Sequence, residues 1–174
     1  MIQTRLWSDL HLSHLNSRGT GIIDYSKRPF LTIDEMDQAL IQAWQTVGKD
    51  DILINLGDFV FKWSQGKIKD LLSRMPGYKI LVLGNHDKRN SLKWWYETGF
   101  DEVYPYPIIY RSKYILSHEP IILEDSSPFT NIHGHVHNTQ SMIDKLNPKK
   151  NINCSVEVIG YKPILWEDLI GVKK

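Results

Sequence analysis

Three short apolar runs, each stopping at a residue able to do chemistry, constrain this chain more than any other feature. Residues 2–8 deliver Asp9, residues 51–56 are broken by Gly57-Asp58, and residues 78–83 stop at Gly84-Asn85-His86-Asp87. Helices are expected between them. Thr32 and Glu35 have the spacing of a capping box, and Ile33, Met36, Leu40, Ile41, Trp44 and Val47 share one face over residues 33–47. Ser64 opens a second helix with Ile68, Leu71, Leu72 and Met75 inward, ended by Pro76-Gly77. Strand, long loop, helix, strand, helix, strand is the order of right-handed parallel crossovers. Runs this apolar read as strands covered on both faces, and ligands of such sheets sit outside the carboxyl ends of the strands. Asp9, Asp58 and Asn85 should therefore converge on one sheet edge.

All seven histidines lie in four short clusters. They are Asp9-Leu10-His11 with His14, then Gly84-Asn85-His86-Asp87, Ser117-His118-Glu119 and His133-Gly134-His135-Val136-His137. Imidazole and carboxylate are ligands of borderline and hard divalent metals, and this many of them argue for a dinuclear centre. Asp9 and His11 are i, i+2 neighbours that project to one side of an extended backbone, and His135 and His137 repeat the spacing after Gly134. Asp58, on a short side chain after a buried run, is the candidate bridge; Asn85 offers a neutral oxygen, and His118 follows another apolar run. His86 is assigned proton donation, with Asp87 beside it to raise its pKa and hold its tautomer. His14 and Arg28, from the long loop at residues 12–31, are candidate substrate contacts.

After Pro105 and Pro107 the pattern changes. Strands are expected near 108–111, 114–117, 129–133 and 151–159, in a second and largely antiparallel sheet, with a helix near 91–98. The chain is expected to form one domain over residues 1–174. A formal net charge of +1 gives no global positive field, so nucleic acid is not indicated as a partner. A nuclease would draw on Lys67, Lys69, Lys149 and Lys150. A non-catalytic binding module would present Trp63, Trp94, Trp95 and Trp166. No apolar stretch reaches signal-peptide or membrane-spanning length, and the expectation is a soluble cytoplasmic protein with no membrane partner.

Read in order, Asp9-x-His11, Gly57-Asp58, Gly84-Asn85-His86-Asp87, His118 and Gly134-His135-x-His137 resemble the calcineurin-like metallophosphoesterase superfamily. The longer phrase Asp9-Leu10-His11-Leu12-Ser13-His14, followed by Arg28-Pro29-Phe30, resembles its small stand-alone bacterial and phage members. The tail segment Cys154-Ser155-Val156-Glu157 before Tyr161-Lys162-Pro163-Ile164 also resembles theirs. The resemblance implies an α/β fold, a four-layer α-β-β-α sandwich with two mixed β-sheets. It implies two divalent ions, manganese foremost, with iron, zinc or nickel as alternatives. Asp9, His11 and His137 would hold one, Asn85, His118 and His135 the other, and Asp58 would bridge. His86 would face the phosphate. The implied reaction is hydrolysis of a small phosphoester by a water that the two metals activate. An open, capless site with one flanking histidine has few groups for a terminal dianion, so a diester is expected ahead of a monoester.

Overall fold

The computed structural model describes residues 1–15 and 21–171; residues 16–20, part of the expected long loop, lie outside them. Strands β1 (Thr4–Trp7), β2 (Ile52–Asn55), β3 (Tyr78–Val82) and β4 (Glu102–Tyr104) run parallel, and β9 (Ile164–Leu165) joins β1 antiparallel. The order in this sheet is β4-β3-β2-β1-β9. A second sheet is built from β5 (Ile108–Tyr110), β6 (Tyr114–Leu116), β7 (Thr130–His133) and β8 (Asn151–Asn153), in that order. Helices α1 (Ile22–Ser26), α2 (Ile33–Trp44), α3 (Gln65–Arg74), α4 (Leu92–Tyr96), α5 (Gln140–Ile143), α6 (Val156–Ile159) and α7 (Trp166–Leu169) flank these two mixed sheets. This is the arrangement of two mixed sheets flanked by helices that the resemblance implies.

The two-residue period of the strands divides each apolar run between two cores. Leu6, Ile54, Leu56, Ile80 and Val82 point toward the second sheet, where Leu116, Ile132, Cys154 and Trp166 meet them. Trp7, Leu53, Leu81 and Leu83 point the other way, onto Met36, Leu40 and Trp44 of α2, Ile68, Leu71 and Leu72 of α3, and Trp95 of α4. Continuous hydrophobicity is the signature of a sheet buried on both faces. Thr32 caps α2 by accepting from the Glu35 backbone N–H (3.1 Å), and Ser64 caps α3 by accepting from Lys67 (3.3 Å).

Three local expectations change. The second sheet is antiparallel only between β5 and β6; β6–β7 and β7–β8 are parallel. The reason is chain length, because residues 117–129 and 134–150 are long enough to cross back to the start of the next strand. Residues 156–159, read as the continuation of a strand, form the single-turn helix α6, which ends at Gly160 in the left-handed region (φ 78°). Helix α2 stops at Trp44, three residues before its expected end, and β4 was not anticipated. Among the described residues, no helix is long and apolar enough to cross a membrane.

Candidate metal centre

Because β1, β2 and β3 are parallel and in register (Trp7↔Asn55↔Leu81), the segments after them leave from one edge. The carboxyl ends of β6, β7 and β8 meet that edge from the second sheet, joined to it by the backbone bond from Val156 N–H to Ser8 O (3.1 Å). The backbone here is not extended, as the i, i+2 argument assumed. Asp9 (φ 61°), His11 (51°), Asp58 (53°), His135 (69°) and His137 (48°) all sit in the left-handed region. Each such residue costs on the order of 1 kcal/mol, and surrounding hydrogen bonds must hold it. They do so here: Asp9 and His11 donate to Gly57 O (3.0 Å) and Asp58 O (2.9 Å), and the His135 N–H reaches both Asp9 carboxylate oxygens (3.1 and 3.0 Å).

The imidazoles are anchored through Nδ1. His118 Nδ1 donates to Leu56 O (2.8 Å) and His137 Nδ1 to Glu157 Oε1 (2.9 Å), while His11 Nδ1 lies 3.1 Å from His14 Nδ1. Their Nε2 atoms turn inward: His11 and His118 each lie 3.5 Å from Asp58 Oδ2, and His137 lies 3.9 Å from Asp9 Oδ1. An anchored far nitrogen with a free near one is how ligating histidines are presented to an ion. His11 Nε2 is buried with no hydrogen-bond partner among the described residues, an arrangement that is costly unless something else takes its lone pair. Asn85 Oδ1, His118 Nε2 and His135 Nδ1 form a second convergence, 3.0–3.2 Å apart. Ligand atoms within each of three groups, Asp9 with His11 and His137, Asp9 with Asp58 and His118, and His11 with Asp58 and His86, lie within 4.8 Å of one another. The donor set fits divalent metal.

Electrostatics agree with the geometry. Burial works against the Asp58 carboxylate, yet His118, His11 and the His86 N–H hold its pKa well below the usual range. His118 is opposed by burial too, but Asp58 and Asp9 raise it to about 9. Burial lowers His11 well below its ordinary value, which keeps a lone pair available.

Residues 6–173 match the family described as Calcineurin-like phosphoesterase. The chain belongs to that family. An uncharacterized protein of Methanocaldococcus jannaschii, MJ1445, is 38% identical over 168 residues, covering 91% of this chain and 84% of that one. The Gene 66 protein of Mycobacterium phage L5 is 39% identical over 90 residues, half of this chain and 41% of that one. The crystal structure of AQ665, a protein of unknown function from Aquifex aeolicus, shares the fold with a TM-score of 0.67 at 24% identity, over 99% of this chain and all of that one. Family membership and the convergent triads together make this a metal-binding site of a calcineurin-like hydrolase.

Two residues in this phosphoesterase serve differently from expectation. Asp87 does not touch His86. It is fully buried and accepts from the backbone N–H groups of Asp58 (2.7 Å), Gly84 (2.9 Å) and Phe59 (3.1 Å), clamping the two ligand-bearing turns together. Burial and the nearby Asp58 raise its pKa to about 7. The contact on His86 Nδ1 is instead the Arg89 guanidinium at 3.3 Å. Arginine has only donors, so Nδ1 accepts and the neutral ring carries its proton on Nε2, 3.9 Å from Asp58 Oδ2. Burial first, with Arg89 contributing, lowers the His86 pKa rather than raising it.

Arg28 is likewise not free for a phosphate. Its side chain is fully buried, donating to Asp9 O (2.6 Å), Leu10 O (2.9 Å) and Glu157 Oε1 (2.7 Å from NH2 and 2.8 Å from Nε). The sequence reading missed Glu157; a lone carboxylate between Val156 and Val158 is the signal that could have found it. His14 lines the pocket, its ring stacked on Phe61 at 4.0 Å, beside Tyr25 and Met142. His133 is buried behind Gly134, outside the pocket. Lys67 lies over the Trp63 ring, Lys149 reaches Asp125, and Lys150 donates to Ser127 O, so none of these lysines lines the pocket. Trp95 and Trp166 are core residues, and Trp63 and Trp94 pack partly against the core.

Asp37 of α2 holds the turn after His11, both oxygens accepting from the Ser13 N–H (3.1 and 3.0 Å). Burial raises its pKa to about 6, against that hydrogen bond. A carboxyl raised in the folded state contributes most to stability below its unfolded value, and the contribution falls away as pH climbs from about 4 to about 6. Asp37→Asn keeps an acceptor for Ser13 and removes the charge. It should leave stability unchanged at pH 4 and raise it by about 2 kcal/mol at pH 7.5. Denaturant midpoints at the two pH values measure the difference, and equal shifts at both would contradict it.

Proposed function

We propose that this chain is a two-metal phosphodiesterase acting on a small phosphoester. Asp9, His11 and His137 would hold one divalent ion and Asn85, His118 and His135 the other, with Asp58 shared; manganese is the proposed ion, and iron, zinc and nickel suit the same N/O set. The observation that carries the reading is the buried His11 Nε2, which has no hydrogen-bond partner among the described residues and faces Asp58 inside the cluster. Two bound ions would supply an activated water at neutral pH and neutralise charge at phosphorus. His86 faces the same pocket with its proton on Nε2, available to the departing oxygen. Arg89, behind the ring, fixes that tautomer.

Support for a diester comes from the wall of the pocket, a cavity of about 270 Å³. Among the described residues, no lysine or arginine lines it; Tyr25, Ile22 and Met142 do, along with the histidines. Arg28, the cation that would have answered the second charge of a monoester, is bound to Glu157 and two carbonyls. A monoanionic diester therefore suits the pocket better than a dianionic monoester.

The test uses matched chromogenic phosphate mono- and diesters with metal-stripped protein reconstituted with manganese, zinc or nickel. Metal-restored diester turnover is expected, reduced about 10²–10⁴-fold in His86→Ala with two ions still bound. A monoester preference, or His86→Ala activity equal to wild type, would refute the respective part of the proposal.

A further inference from the structure

We propose that Glu157 is a positioning residue for the His137 side of the metal centre, and that Arg28 couples it to the Asp9 turn. The inference rests on the reading of Asp9, His11 and His137 as the ligands of one ion. Its basis is how the Glu157 carboxylate is shared. Oε1 accepts from His137 Nδ1 at 2.9 Å and from Arg28 NH2 and Nε at 2.7 and 2.8 Å. Oε2 is buried and has no partner among the described residues. Arginine–carboxylate pairs frequently take the two-pronged geometry, one N–H on each oxygen. Here both guanidinium donors and the imidazole crowd onto one oxygen. The carboxylate is held off the arginine fork and turned toward His137.

That orientation matters because, among the described residues, the bond to Glu157 is the one hydrogen bond of the His137 ring. Its backbone is in the left-handed region (φ 48°). With Nδ1 tied to Glu157, its ring presents Nε2 toward Asp9, 3.9 Å from Oδ1. A carboxylate behind a ligating histidine sets its tautomer and makes it a better donor to the ion. The Glu157 side chain is 1% exposed, so its charge acts in a poorly solvated environment. Arg28 neutralises that charge and, through the same guanidinium, grips the carbonyls of Asp9 and Leu10 (2.6 and 2.9 Å). One buried cation thus ties the backbone of one ligand to the side chain that supports another. The two ligand segments, 128 positions apart from Asp9 to His137, are set against each other by residues that touch no ion.

The test is calorimetric titration of the metal-free full chain with Mn²⁺, comparing wild type, Glu157→Gln and the double variant Arg28→Met/Glu157→Leu. The double variant removes both charges, so it leaves no unpaired charge buried. Thermal melts without metal run alongside. In Glu157→Gln one of two sites should weaken by about 10–100-fold while the other stays within about twofold. The double variant should lose the same site while remaining folded. Two unchanged affinities in either folded variant would overturn the positioning role, and equal weakening of both sites would reduce Glu157 to general structural support. Fewer than two ions on the wild type would instead overturn the underlying reading of the centre.

Discussion

Replacing Asp58 with Asn is expected to lower turnover on the order of 10³-fold and to leave fewer than two ions bound per chain. The side chain is buried at the meeting point of the cluster, its Oδ2 within 3.5 Å of His11 and His118 and 3.9 Å of His86. An amide preserves much that is structural. Its oxygen can still accept from the His86 N–H, now 2.9 Å from Oδ1, and the backbone bonds of this turn to Asp87 and His11 do not involve the side chain. What disappears is the negative charge and one of the two oxygens a shared ligand needs. The fold should persist while the centre fails. Metal content measured beside diester turnover decides the matter: full activity with two ions bound would sink the bridging role.

Gly84→Ala should be nearly as damaging by a different route. Gly84 needs no unusual φ, so the penalty is one of space. A Cβ there would overlap both the Oδ1 and the backbone N of Asp58. Neither can retreat, because the N–H is held by Asp87 and the carboxylate by the His86 N–H. Overpacking of this kind costs about 3 kcal/mol, which for a chain of this size lowers the melting temperature by roughly 6–12 °C. The displaced carboxylate should also weaken both ion sites. A melt within 2 °C of wild type, with undiminished metal affinity, would show that the turn can give way.

Residues with contiguous motifs were legible from the sequence, and those defined by distant partners were not. Asp9, Asp58 and Asn85 follow apolar runs whose burial on both faces forces a parallel sheet, and a parallel sheet puts its strand ends together. Nothing local distinguishes Arg28 from a solvated loop arginine; its partner Glu157 lies 129 positions away. Asp87 misled for a related reason. Adjacency in sequence suggested a contact with His86, yet the short 3-10 turn at Asp87–Arg89 sends Asp87 inward and brings Arg89 against the ring. In α6, Val156, Val158 and Ile159 have the β-branched character of a strand, but the turn from Ser155 to the left-handed Gly160 overrides it. The i, i+2 ligand pairs were found by an argument that assumed extended backbone. Their real geometry comes from strained turns that strand periodicity does not describe.

The site's make-up from both sheets also has a consequence for timing. Asp9, Asp58 and Asn85 follow strands of the first sheet, whereas His118, His135 and His137 follow strands of the second. A chain emerging from synthesis in order would complete the first sheet's parallel core by β4 and still own only part of a chelating set. The remaining donors, and the carboxylate behind His137, arrive with the last third of the sequence. Completion of the proposed two-ion set would then be a late event, and the long-range closure it depends on is the slow kind.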